Sequence, residues 1–386
     1  MKYRLMLVVL FTVIVSCSNK NNSSESVPVN NFIHGVDLSY VNQIQIRGGE
    51  YKDNNQVKDA FEIFGSKGTG LARFRLWHNP QWTKELYGDD NGQLYNDFED
   101  TQSAILASKR NGMKTLLDFH YSDTWADPDK QYAPEAWENI TSIETLEDSV
   151  YNYTLTTLRK LNQNNALPEY VQLGNETNCG MFYSEKNDAF PDCNVCESKE
   201  WDNLRAVLNA GARAVRMVES ELNTEIKIIL HVADPQFLDW WFGELTKSVV
   251  DFDAIGVSYY PLWHREVSFD QLENHIKNVK NKFGKDIIIL ETAYPWTTEG
   301  NDNMPNLFGD QVPLEGYAYT PSGQLNFMKD LSTKMKSAGA LGVVYWESAW
   351  IAYPIKTLWG TGSSWENCTY FDYENNASGV FDYMKE

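Results

Sequence analysis

Short apolar runs recur along the chain, separated by longer stretches of mixed polarity. Eight runs fall near residues 33–38, 71–77, 114–120, 169–175, 226–232, 253–259, 286–291 and 341–346. Between most of them, apolar residues return at helical spacing, as over 204–222 and 269–283. Strand alternating with helix predicts a parallel sheet of the α/β class. Eight repeats in about 350 residues predict one closed (β/α)8 TIM barrel rather than an open sheet. An open doubly wound sheet would carry a glycine-rich phosphate turn after its first strand. Here Gly35-Val36-Asp37 runs straight into Leu38-Ser39-Tyr40. The composition does not shift after residue 31, so 32–386 reads as one barrel domain whose extended βα loops form a groove.

The residues ahead of the barrel read as an address. Lys2 and Arg4 precede an apolar stretch over 5–15, too short to span a bilayer. Ile14-Val15-Ser16-Cys17 has the form of a bacterial lipoprotein processing site, with Cys17 as the acylated residue. The expected division is a signal peptide over 1–16, a flexible polar tether over 17–31 and the barrel beyond. An ordinary cleaved signal with an incidental cysteine is the alternative. The lipoprotein reading predicts an exported protein, anchored by lipid to the outer or inner membrane and facing the periplasm or the cell surface. Export also makes disulfides admissible among Cys179, Cys193, Cys196 and Cys368. One or two loop disulfides are expected, with connectivity open, and a redox or zinc reading of Cys193-x-x-Cys196 is the alternative. The net charge of −20 disfavours nucleic acid as a partner. A neutral polymer is compatible, and 13 Trp and 21 Tyr supply rings that could cover the apolar face of a sugar. The same residues could equally fill a large core. A monomer is expected.

Strand side chains alternate between faces. Ala72, Phe74 and Leu76 take the helix-facing side of their strand, so Arg73, Arg75 and Trp77 point into the barrel. Gln172, Gly174 and Glu176 share the inner face of another strand. Strict alternation gives Glu291 the face of Ile287 and Ile289. Chemistry-bearing residues gather at the carboxyl ends of the strands, where barrels build active sites: Asp37, Arg75, Asp118, His120, Asn175, Glu176, His231, Tyr260, Glu291, Trp346 and Glu347. Two glutamates ending different strands, with an inward arginine, suit glycosidic bond cleavage. One must donate a proton near neutrality, so its pKa must rise from ~4.3 toward ~6. The negative charge of its neighbour would supply that shift, and Arg75 would hold the other glutamate ionised.

The motifs carry a resemblance. Asn175-Glu176 and Glu291, closing strands three apart, look like those of the large clan of retaining (β/α)8 glycosidases. Gly35-Val36-Asp37-Leu38-Ser39, the run 73–80 (RFRLWHNP), the run 117–128 (LDFHYSDTWADP), Gln172-Leu173-Gly174-Asn175-Glu176 and Glu291-Thr292-Ala293-Tyr294-Pro295 resemble glycoside hydrolase family 53, the endo-β-1,4-galactanases. The resemblance spans roughly 33–372. It implies a catalytic domain that cuts internal bonds of galactan and type I arabinogalactan with no catalytic cofactor. Glu176 would be acid/base, Glu291 nucleophile, and Asn175 a ligand of the sugar 2-hydroxyl. Asp37, Asp118, His120, His231, Tyr260 and Trp346 would line central subsites, and Trp125, Trp296 and Trp350 would lie further out. A structural calcium is implied for the loop after the seventh strand, with Asp302 and Asn306 as ligands; a plain solvated loop is the alternative. A mannanase or glucanase of the same clan, and a non-catalytic glycan-binding lipoprotein, are the rival functions.

Overall fold

The computed structural model describes residues 32–88 and 92–385. The signal peptide, Cys17 and the tether lie outside the described residues. The barrel strands are β1 (Ile33–Asp37), β2 (Leu71–Leu76), β3 (Lys114–Phe119), β4 (Tyr170–Leu173), β5 (Lys227–Ala233), β6 (Ala254–Ser258), β7 (Asp286–Glu291) and β8 (Gly342–Tyr345). They close into a barrel, each parallel to both neighbours, with β1 pairing β8 and β2. Helices α1 (Ala60–Ser66), α2 (Phe98–Arg110), α3 (Ile143–Gln163), α4 (Trp201–Leu222), α5 (Leu238–Leu245), α6 (Phe269–Phe283) and α7 (Pro321–Ala338) follow successive strands. The eight expected strands and both expected helices are present, with shifts of a few residues at their ends.

Local chemistry explains the boundaries. Ser268 caps α6 reciprocally with Gln271, and Gly284 ends it in the left-handed conformation. Thr320 caps α7 ahead of Pro321, and Gly339 closes it. Outward strand residues such as Phe74, Leu117, Leu173, Val232, Val257 and Ile289 pack on these helices in the main core. A separate small cluster fills the barrel: Leu71, Leu116, Tyr170, Ile229, Ala254, Ile288, Leu290 and Val344. It forms an apolar floor, and one inward step further along β2 to β5 the residues are polar: Arg73, Asp118, Gln172 and His231.

Glu291 departs from strict alternation. Ile287 and Ile289 face the helices and Ile288 and Leu290 face inward, so simple parity would turn Glu291 out of the barrel. The ladder slips here: Val257 pairs with Ile289, but Ser258 pairs with Glu291. This β-bulge gives β7 one extra residue and sends Glu291 to the same side as Leu290. Gly256 makes the room, since a Cβ there would lie 2.2 Å from the Leu290 side chain.

Among the described residues the cysteines form one bridge, Cys179–Cys196, with Cys193 and Cys368 free and buried. The bridge consumes Cys196, so the Cys193-x-x-Cys196 pair is neither a redox couple nor a zinc clamp. No helix among the described residues is long and apolar enough to cross a membrane.

Candidate active site

β4 ends in a sharp turn. Gly174 has φ +85° and Glu176 has φ +45°, a region that non-glycine residues seldom occupy and that costs about 1–3 kcal/mol. The turn swings Asn175 and Glu176 over the barrel mouth toward Glu291. One carboxylate oxygen of Glu176, one of Glu291 and a His231 ring nitrogen lie within 4.8 Å of one another. Such a trio could in principle hold a metal. Both His231 nitrogens are already engaged, Nε2 with the Ser258 hydroxyl and Nδ1 with Gln172 and the backbone N–H of Glu176, which removes the histidine as a ligand.

Arg73 organises the floor. Its Nε donates to Gln172. Nη1 donates to Asp37 at 3.1 Å and Glu291 at 2.9 Å. Nη2 donates to Asp118 and Asn175, both at 2.8 Å. All five N–H groups of the guanidinium are thus used. Arg73, not Arg75, holds the glutamate. Arg75 instead pairs with Glu347, its guanidinium packed 4.3 Å from the ring centres of Tyr40 and Trp125. The two arginines share a face but sit at different depths, and the Asp37–Arg73 register puts the deeper one beside the acids.

The two glutamates have different surroundings. Glu291 has both oxygens held, one by Arg73 and the other by the Tyr260 hydroxyl at 2.8 Å. Glu176 Oε1 accepts from the Ser258 hydroxyl at 2.5 Å, and Ser258 in turn meets His231 Nε2 at 3.0 Å. With its hydrogen assigned to Nε2, His231 donates to Ser258 while Nδ1 accepts from Gln172 and the Glu176 backbone. Burial and the nearby Arg73 keep His231 far below its ordinary pKa, hence neutral. Burial pushes the Glu176 carboxyl up to about 8, with the Glu291 charge as the second cause. The expected order of causes is therefore reversed, because loss of water outweighs the neighbouring charge. Burial lifts Glu291 as well, with Arg73 and then Tyr260 opposing. Since Arg73 touches only one of the pair, the shared proton belongs on Glu176, and on Oε2, because Oε1 already accepts from Ser258.

The sequence of glycosyl hydrolase family 53 matches residues 33–384. An arabinogalactan endo-β-1,4-galactanase of Cellvibrio japonicus (strain Ueda107) is 42% identical over 357 residues, covering 92% of this chain and 90% of that protein. An endo-β-1,4-galactanase of Bacillus subtilis (strain 168) is 34% identical, covering 90% and 79%. A solved family 53 catalytic domain from Ignisphaera aggregans superposes with TM-score 0.80 at 34% identity, covering 94% and 97%. The chain belongs to glycosyl hydrolase family 53.

This glycoside hydrolase presents its two acids in a cavity of about 630 Å³. Asn175, Tyr260 and Trp346 line it with them, as do Trp125 and Trp350. Asn175 spends one amide hydrogen on the Ala126 carbonyl, leaving the other for the cavity. Asp37, Asp118, His120 and His231 are buried beneath this lining and act on it through Arg73, Asn175 and Glu176. His120 illustrates the layer: Nδ1 accepts from Trp77 and the Ala126 backbone, and Nε2 lies 3.2 Å from Asp118. Trp296 stands away from the lining, against Tyr373. Sequence reasoning missed Trp263, Trp359 and Trp365, which line the cavity from irregular loops. Periodicity carries no signal there; the concentration of tryptophan after strand ends was the available hint. Asp302 and Asn306 belong to the loop whose Met304, Pro305 and Leu307 form one wall.

The proton assignment is testable by carboxyl ¹³C NMR titration of Glu176. In Glu291→Gln the neighbouring negative charge is gone, so ionising Glu176 becomes easier and its pKa should fall. It should remain above the ordinary ~4.3, because burial persists. A Glu176 pKa that is unchanged or rises contradicts the assignment.

Proposed function

We propose that the chain is an endo-acting hydrolase of internal β-1,4-galactosidic bonds in galactan and type I arabinogalactan, working with retention. The carrying observation is the approach of Glu176 and Glu291 within 4.8 Å, against the ~5 Å of retaining pairs and the wider gap of inverting ones. The activities named for the relatives from Cellvibrio japonicus and Bacillus subtilis support the substrate.

In the first step an oxygen of Glu291 attacks the anomeric carbon as the glycosidic bond breaks. Glu176 gives its proton to the departing oxygen, so the leaving chain departs as a neutral alcohol. The product is a glycosyl ester on Glu291. That ester carries no charge, so one cause of the raised Glu176 pKa disappears, and the residue, now a carboxylate, becomes a base. In the second step Glu176 takes a proton from water, the water oxygen joins the anomeric carbon, and Glu291 leaves as a carboxylate. Two inversions give net retention, and no cofactor enters. Tyr260 and Arg73 keep Glu291 aimed throughout, and the free amide hydrogen of Asn175 suits the sugar 2-hydroxyl.

Two further readings concern the margins of the molecule. Residues 1–16 direct export and Cys17 carries the lipid that anchors the protein to a membrane; the support is the charge, apolar stretch and Cys17 motif of the sequence. A calcium ion would sit by Asp302, Asn306 and Glu366. Asn306 Oδ1 and Glu366 Oε2 are buried without a hydrogen-bond partner, and such oxygens suit a hard cation. Asp302 receives backbone N–H groups from Met304 and Ser363, which tie that loop to the next.

Each reading has a direct check. Glu291→Gln should lose about 10³-fold or more in turnover on galactan while still binding it, whereas a glycan-binding protein would show no turnover to lose. Products confined to mannan or β-glucan would overturn the substrate assignment. Cys17→Ser should move the protein from the membrane fraction to the soluble one; retention in the membrane refutes the lipid anchor. Calcium added to chelator-treated protein should raise its melting temperature, and Asn306→Ala should abolish the rise. An equal melting temperature with and without calcium removes the site.

A further inference from the structure

The loop after β4 carries a disulfide-closed hairpin that the catalytic pair does not explain. Its hairpin pairs Gly180–Met181 with Cys193–Asn194, and the Cys179–Cys196 bridge closes it. It delivers the chain to Trp201, the first residue of α4. There Trp201 meets Trp240 of α5 edge to face, 5.8 Å between ring centres, and Trp240 meets Phe237 at 6.4 Å. Phe237 and Trp240 are 46% and 42% exposed, unusual values for large aromatic side chains placed side by side.

This patch is fixed to the active site. Trp241, the neighbour of Trp240, donates its indole N–H to the carbonyl of Thr177, the residue after Glu176. Asn178 and Ala233 exchange two hydrogen bonds, joining the loops after β4 and β5. Arg205 of α4 donates to the carbonyls of Glu244 and Leu245 at the end of α5, which locks the two helices. Ala233 lines the catalytic cavity, and Phe237 follows four residues later, a span of at most about 14 Å of chain. Beside the patch Asp202 pairs with Arg205 and Asp239 with Lys282, while Asp234 accepts the backbone N–H of Gln236. What remains exposed is the apolar surface of Phe237 and Trp240, on the segment that follows cavity-lining Ala233.

The geometry points to a second glycan contact: Phe237 and Trp240, backed by Trp201, form a stacking platform for the same neutral β-1,4-galactan chain beyond the catalytic cavity. The inference rests on the galactan reading above and adds a residue set to it. Rings of this kind present flat apolar faces to the C–H side of a sugar and need no charge to do so. A long chain can engage the cavity and the patch together, whereas a tetraose is expected to draw mainly on the cavity.

Phe237→Ser/Trp240→Ser tests it, with circular dichroism checking that the variant keeps the fold although both rings are half-buried. Hydrolysis of long-chain β-1,4-galactan and of galactotetraose is compared with the parent, and binding to the polymer is read by affinity electrophoresis in a Glu176→Gln background. The expected result is about a tenfold loss of polymer binding and of kcat/KM on polymer, with kcat/KM on the tetraose within about twofold of the parent. Unchanged polymer binding and hydrolysis overturn the platform, as does an equal loss on both substrates. A parent that sediments as a dimer and a variant that sediments as a monomer would reassign the patch to self-association and overturn it too. A parent inert on galactan fails the functional reading itself, whereas an active parent with an unaltered variant fails the platform alone.

Discussion

A single guanidinium, buried at the bottom of the barrel mouth, makes the site possible. Arg73 is 1% exposed and touches three carboxyl groups, those of Asp37, Asp118 and Glu291, together with two amides. Burying several carboxylates without a counter-charge would be prohibitive, and breaking such a cluster commonly costs several kcal/mol. The arginine offsets that cost and does so asymmetrically. It contacts Glu291 and leaves Glu176 to Ser258, a neutral donor. Two chemically identical side chains thereby acquire different proton affinities, which is the division of labour that bond cleavage by a carboxyl pair requires.

The rest of the fold serves this arrangement. The apolar floor of Leu71, Leu116, Ile229, Ile288 and Val344 excludes water from below, so the polar layer above it is supported on a packed surface. Asp118, itself braced by His120, and Asp37, braced by Ser39, keep the guanidinium from tilting. The β4 turn and the β7 bulge are both departures from regular strand geometry, and each aims one glutamate of the pair at the other. Positive φ recurs just past other barrel strands, at Tyr121, Asp234 and Glu347, so strained backbone gathers at the end of the barrel that holds the acids.

Much of this was legible in the residue pattern. Strand and helix periods marked the eight β/α units, because each strand is apolar toward the helices and each helix amphipathic. The phase of β2 and β4 was also readable, since Phe74 and Leu173 disclose the outer face. What escaped was information carried between strands. The choice of Arg73 over Arg75 depends on how β2 is staggered against β1, and the aim of Glu291 depends on a slipped ladder with β6. Neither is written in one strand alone. The same holds for the cysteines, where Cys179 and Cys196 meet only because a hairpin folds back. Trp263, Trp359 and Trp365 reach the cavity from loops that have no period to read.

The account stands on Glu291 being the residue that bonds to the sugar while Arg73 and Tyr260 hold it. A galacto-oligosaccharide with fluorine at C2 and a good leaving group at C1 slows ester hydrolysis and lets the covalent intermediate accumulate. Mass spectrometry of the digested, labelled protein should find one glycosyl group, on the peptide carrying Glu291. A label on Glu176 or on any other residue would contradict the account.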